Sequence, residues 1–384
     1  MVMLLNRDSI WDRLVSLGEK PLTERDHGAS AALLAALGGE VPAPFAVRRF
    51  RALPTFSYGE GDRHPGGPAE REFGKHVDQT NYSVVVGDQV VVKWLTPPVP
   101  MPHPAPEVFA HLVEVGFEQT APPYAALTRV DASGETLLAL VTGYLPQARD
   151  GWEWCVDEAE AGRNAFAADL GHLAADLHVA LSTFPGAPGD ASPAGGYRAA
   201  ERAGQALREA LDLTGGDDGA WLAGRAATLG RELEPLAAPI AGPLIRIHGD
   251  LHVGQILRWR DGYAVIDFDG NPTVTGAEPY QPAARDVAQL ATSLEHVAQV
   301  AVRRRGVQPA AATGWARQAR DAMLAAYRGR LAERGRPGLL DESLLRPFEI
   351  EQECRELIYA ARHLPRWRYA PMGVLRTWYP EENL

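Results

Sequence analysis

"LIRIHGDLHVGQILRW", Leu244 to Trp259, sets His248 and His252 around the single carboxylate of Asp250 inside a largely apolar run. The flanks "LIRI" and "QILRW" read as strands, so the polar residues fall on the loop between them. Asp261-Gly262 then predicts a turn into the strand of "YAVIDFDG", which ends at Asp267 and Asp269. A hairpin of this kind can bring Asp250, Gln255 and Asp267 to one end. One free carboxylate beside a second carboxylate and an amide oxygen suits Mg2+, a hard cation that takes oxygen ligands and keeps waters or phosphate oxygens.

Three chemistries compete for this stretch. A polar turn with structural histidines is the plainest, but the downstream acids complete a set that a mere turn does not need. A zinc or two-metal hydrolase built on His-x-Asp-x-His is sharper and needs further ligands. His172 and His178 are the obvious donors, although their segment reads equally well as a structural helix. The third is phosphoryl transfer, with Asp250 orienting an acceptor hydroxyl and Gln255 and Asp267 holding Mg2+ between phosphates.

The upstream residues favour the third. Lys93 lies on the second strand of the hairpin "NYSVVVGDQVVVKWL", where a nucleotide-phosphate lysine would sit. A lone strand lysine is more commonly an edge guard, but here an acidic helix and the metal loop follow it. Glu107 opens that helix and can fix the lysine by an ion pair. The turn "DQTNYS", Asp78 to Ser83, offers backbone N–H groups and hydroxyls to phosphates.

The rest of the chain gives these residues a frame. Its 384 residues suit two domains or one two-lobed unit. "PPVPMPHP" reads as an extended linker, the Gly/Pro-rich "YGEGDRHPGGPAEREFG" as a surface loop, and "TLLALVTGYLP" as a buried strand ending at Gly143. Beyond it helical spacing dominates, as in Phe166, Leu170, Leu173, Leu177 and Leu181. The expected class is therefore α+β: a cap and strand-rich nucleotide-binding lobe over 1–143, and a larger helical lobe over 144–384. A net charge of −11 argues against a general nucleic-acid or anionic-membrane binder. Two cysteines cannot make a disulfide framework, and no signal segment or membrane-length apolar run is evident, so a cytoplasmic monomer is expected.

"HGDLHVGQIL" followed by "VIDFDG" resembles the aminoglycoside phosphotransferase and maltokinase superfamily, whose fold is that of the eukaryotic protein kinases. The usual loop asparagine is Gln255 here, as in maltokinases, and "DGWEW" is also maltokinase-like. The resemblance covers most of the chain from about Asp78 onward. It implies that Asp250 is the catalytic aspartate, that Gln255 and Asp267 hold Mg2+ with help from Asp269, and that Lys93 meets the ATP phosphates near Ser83. It also implies an adenine-binding hinge at Gly143, Tyr144 and Leu145, and a bracing role for Asp286.

The acceptor is read from "FEIEQECRELIYAARHLPRWRYAP". As a helix, Ile350, Cys354, Leu357, Ile358 and Ala361 form one stripe, and Glu349, Glu353, Glu356 and His363 form another. The acidic stripe is either a solvated face relieved by Arg355 and Arg362 or a seat for a cationic ligand. Trp367 and Tyr369 offer a platform for a sugar ring. The segment resembles the signature of an actinobacterial glucosamine kinase group, "ECREL-YA-RHLPRW-YAP". That implies ATP-dependent phosphorylation of D-glucosamine to glucosamine 6-phosphate, with Glu353, Glu356, Arg362, Arg366 and Trp367 at the matched positions as candidate sugar contacts, and His252 beside Asp250 as a further one. Maltokinase and aminoglycoside kinase activities stay open, because acids hold amines in the latter as well.

Overall fold

The computed structural model describes residues 9–17, 26–54, 69–72, 82–186, 198–240, 242–271 and 278–380. Most of "DQTNYS" and of the "YGEGDRHPGGPAEREFG" loop lies outside them. The chain divides into two compact units, Met1–Ala148 and Arg149–Leu384.

The first unit contains α1 (Ser9–Val15), α2 (Ala29–Leu37), β1 (Phe45–Arg49), β2 (Glu70–Glu72), β3 (Tyr82–Val86), β4 (Val90–Pro100), α3 (Pro104–Glu114), β5 (Pro123–Asp131) and β6 (Gly134–Gly143). The six strands form one antiparallel sheet in the order β1-β5-β6-β4-β3-β2. β-Branched runs make β3 and β4, and Gly87 and Asp88 between them both take positive φ (58° and 50°), as a tight hairpin requires. Alternation then sorts the faces. Val90, Val92 and Trp94 pack into a core with Ile10, Leu14, Leu33 and Leu37 of α1 and α2, which leaves Lys93 on the opposite face, directly across from Ser83. The proline-rich stretch expected as a linker is partly strand. After an irregularity between Trp94 and Val99, Val99 and Pro100 pair with Leu137 and Thr136. An extended Pro-rich chain already has strand-like dihedrals, and the irregularity absorbs its missing N–H groups.

The second unit holds α4 (Gly151–Glu160), α5 (Phe166–Leu181), α6 (Ala199–Leu213), α7 (Gly216–Ala223), α8 (Ala226–Leu233), β7 (Ile245–Arg246), β8 (Ile256–Trp259), β9 (Gly262–Val265), β10 (Tyr280–Gln281), α9 (Ala284–Arg305), α10 (Pro309–Glu333), α11 (Leu345–Arg362) and α12 (Tyr369–Trp378). α9 packs against α4, α10, α11 and α12 and is buried along most of its length from Ala284 to Ala301. The hairpin expected from the catalytic stretch is β8–β9, with Ile256 opposite Val265. "LIRI" does not extend it. Its residues Ile245 and Arg246 pair instead with Gln281 and Tyr280 of β10.

Candidate active site

The loop between β7 and β8 is held by one face of α9. Asp286, fully buried, accepts the N–H groups of His248 (2.7 Å) and Gly249 (3.0 Å), and His178 Nε2 lies 3.2 Å from it. Two turns on, Ser293 Oγ accepts the N–H of Val253 at 3.1 Å. Between them Gln289 Nε2 donates to Asp250 Oδ1 at 2.7 Å, and Asn271 Nδ2 donates to the same oxygen at 3.0 Å. The spacing of 286, 289 and 293 is that of one helix face.

Both histidines of the opening stretch serve the loop itself. His248 Nε2 donates to Ile266 O (2.9 Å) while its Nδ1 accepts the Asp250 N–H (3.3 Å). His252 Nδ1 accepts the Gly254 N–H (3.0 Å), so its proton sits on Nε2, 3.6 Å from Asp250 Oδ2. His178 is likewise engaged, with Tyr327 OH 2.6 Å from its Nδ1. His172 is exposed, and among the described residues no three His, Cys, Asp or Glu side chains gather as a metal set, so the His-x-Asp-x-His hydrolase lacks its further ligands. Burial alone would raise the Asp250 pKa, but His252 and the Gln289 N–H outweigh it and hold the carboxyl below its ordinary value. Asp250 is thus an ionised acceptor at neutral pH.

The hairpin brings Gln255 and Asp267 to one end, since Gln255 O accepts the Ile266 N–H at 2.9 Å. Asp267 takes a left-handed backbone, φ 66°, uncommon for a residue with a side chain and typical of functional turns. Asp269 follows on the same turn.

α4 covers the loop. Asp150 caps it, accepting the Trp152 N–H at 2.9 Å, and the Trp152 ring lies 5.8 Å from His252 and 5.4 Å from Trp367. The approach is tight enough to demand glycines. A Cβ on Gly254 would fall 2.6 Å from Trp152 Nε1, and one on Gly151 would fall 1.6 Å from Val253 O.

The acidic face of α11 is not solvated. Glu349 and Glu353 are as buried as the apolar stripe beside them, while Ala361 and His363 are exposed. Nor do the expected arginines relieve it. Arg355 pairs with Glu351, and Arg362 pairs with Glu209 of α6. Glu353 Oε2 is 2.9 Å from His296 Nε2 of α9, and Arg320 of α10 binds Glu349 at 2.5 Å. Burial would lower the His296 pKa, but the Glu353 carboxylate pushes it up to about 9, which makes it an imidazolium. The helix expected to run through "RHLPRWRYAP" stops at Arg362, because Pro365 forces Leu364 out of the helical region (φ −142°, ψ 71°). The chain doubles back, and Trp367 Nε1 donates to Glu356 Oε2 at 2.7 Å. Gln352 Nε2 holds the other oxygen at 3.0 Å. Arg366 is exposed on this return.

The residues assigned to the nucleotide lie in the first unit. Lys93 and Ser83 share a sheet face, and the Tyr144 N–H donates to Gln89 O (2.8 Å) just past β6, with Leu145 buried. Glu107 does not make the expected pair with Lys93. α3 packs on β5, next to β1, and there its carboxylate receives both arms of Arg48. Sequence reasoning missed Gln289, Asn271, His296 and Trp152 as site residues. Helical spacing from Asp286 was the available signal for the first and third.

Residues 71–270 match the phosphotransferase enzyme family. A glucosamine kinase of Streptacidiphilus jiangxiensis is 41% identical over 333 residues, covering 82% of this chain and 75% of that protein. A glucosamine kinase of Mycolicibacterium smegmatis is 40% identical over 311 residues, 78% and 77% of the two chains. Among solved structures, a glucosamine kinase in complex with glucosamine, ADP and inorganic phosphate is 34% identical, with a TM-score of 0.74 over 92% of this chain and 83% of that one.

Proposed function

The chain belongs to the phosphotransferase enzyme family, and from that premise we propose that it transfers the γ-phosphoryl group of ATP to D-glucosamine, giving glucosamine 6-phosphate and ADP. The observation that carries this reading is the ionised Asp250, fixed by amide donors on one oxygen and faced by His252, from which a chain of contacts runs through Trp152 and Trp367 to Glu356. Asp250 accepts the hydrogen bond of the 6-hydroxyl and aims its oxygen at phosphorus. Its lowered pKa suits an orienting acceptor that takes the proton late, as a loose phosphoryl-transfer transition state asks. The aromatic faces seat the sugar ring, and Glu356 receives the ammonium. Lys93 and Ser83 serve the phosphates, and the 143–145 backbone serves the adenine. The N-terminal lobe thus binds nucleotide and the helical lobe carries catalysis.

Gln255 and Asp267 would hold Mg2+. The fit is good: one carboxylate and one neutral amide oxygen are hard donors, and the β8–β9 hairpin brings the two residues to one end. When bound, Mg2+ neutralises charge on the phosphates. The two cysteines are buried and free, as a reducing cytoplasm would keep them. No helix among the described residues is long and apolar enough to cross a membrane.

ADP release measured against glucosamine, glucose, N-acetylglucosamine, maltose and kanamycin tests the proposal. Glucosamine should be strongly preferred. Equal turnover of glucose would return neutral-sugar recognition to first place, and preference for kanamycin would make the enzyme an aminoglycoside kinase.

A further inference from the structure

We propose that Gln289 is the positioning residue that aims the catalytic carboxylate. The idea rests on the phosphoryl-transfer reading, in which Asp250 faces the acceptor hydroxyl. Gln289 sits on α9, is 3% exposed, and donates Nε2–H to Asp250 Oδ1 at 2.7 Å. Its amide orientation is set by chemistry, since the opposite flip would turn a carbonyl oxygen onto a carboxylate. One turn before it Asp286 fixes the loop backbone at His248 and Gly249, and one turn after it Ser293 fixes Val253. The same rigid helix therefore sets the loop and the side chain the loop presents. Gln289 and Asn271 both bind Oδ1, which leaves Oδ2 as the oxygen that meets substrate.

The other arm of the amide makes the case for function over packing. Gln289 Oε1 is buried with no hydrogen-bond partner among the described residues. A half-satisfied buried amide is unfavourable for folding, and an apolar side chain of equal length would pack there without that penalty. A glutamine at this place is explained by what its donor does for Asp250. Donation to the ionised carboxylate also contributes to its low pKa, together with His252 and His248; Glu356 and Asp150 lie beyond His252.

Gln289→Met and Gln289→Glu, each with thermal unfolding and full pH profiles, test this. Gln289→Met should keep or raise Tm and leave the KM for ATP unchanged. Its kcat should fall about tenfold, because a misaimed acceptor costs rate and not nucleotide affinity. Losing the donor raises the Asp250 pKa, so the acidic limb of kcat/KM should move up by about one pH unit. Gln289→Glu, which sets a like charge against Asp250, should move it further. A stable Gln289→Met enzyme with the unmodified kcat and acidic limb would overturn the proposal. So would a variant that loses Tm and loses rate equally at every pH, since that is a packing residue. Asp250→Asn separates the two levels: if it retains turnover, the reading of Asp250 has failed rather than that of Gln289.

Discussion

At the residue scale the site turns on which oxygen of Asp250 is free to work. Oδ1 is taken by two amides and Oδ2 faces His252. Asp250→Asn replaces the proposed acceptor of the hydroxyl with an amide of the same shape, so kcat should drop on the order of 10²-fold or more while ATP binding stays within a few-fold. Retained turnover in steady-state assays would remove Asp250 from the reaction. On the proposed metal ligation, Asp267→Ala should raise the Mg2+ requirement sharply and Gln255→Ala more gently, because the first removes a charged group and the second a neutral one. Unchanged Mg2+ titrations in both variants would show that neither is a ligand. Asp250 sits on the loop before the β8–β9 hairpin, but that Gln255 and Asp267 lie together was legible in the sequence because they flank that hairpin, and a hairpin's register is a local property. Gln289 was not, since it lies 39 residues from Asp250 and a glutamine in an amphipathic helix carries no mark of its role. It becomes readable once Asp286, three residues earlier, is known to face the loop.

At the scale of elements, α11 shows what periodicity can and cannot give. The helix and its two stripes were readable, but a stripe of carboxylates says nothing about what covers it. The covering residues, His296 and Arg320, come from α9 and α10. Proline at 365 announced a break that the amphipathic pattern ran past, and the resulting return is what brings Trp367 to Glu356. This division sharpens the expected selectivity. Glu353 is fully buried and paired with His296, whereas Glu356 keeps some solvent contact and is held by neutral donors. Glu356→Gln should therefore cut the glucosamine-to-glucose ratio of kcat/KM by about ten- to a hundredfold, the worth of a charge-assisted hydrogen bond. Trp367→Phe keeps the ring and loses the N–H that orients Glu356, so it should reduce the ratio less. A Glu356→Gln enzyme with undiminished preference would move ammonium recognition elsewhere.

For the whole molecule, burying acids in the core of the helical unit ties stability to pH in an unusual direction. Burial pushes the Glu353 carboxyl up to about 7, and burial with Glu349 and Glu353 nearby pushes Glu295 up to about 8, against the pull of Arg320 and the Trp378 hydrogen bond. His296, faced by Glu353, Glu356 and Glu295, rises to about 9. Each folded value exceeds the ordinary one of 4.5 for Glu or 6.5 for His that the unfolded chain would show. The folded state then binds more protons than the unfolded state, and stability falls as pH rises through these values. Between pH 7 and 9 the change comes from Glu295 and His296, with Glu295 damped by the solvent contact it retains. Tm should therefore fall steadily from pH 7 to pH 9. Glu295→Gln removes an ionisation that the fold resists, so it should flatten that slope and stabilise the protein at pH 9 by about 1 kcal/mol. Its effect should shrink towards pH 6, where the carboxyl is already protonated in the folded state. A flat Tm profile in the unmodified protein, or a Glu295→Gln variant less stable at pH 9 than at pH 6 by the same margin as its parent, would mean that these carboxyls are solvated after all.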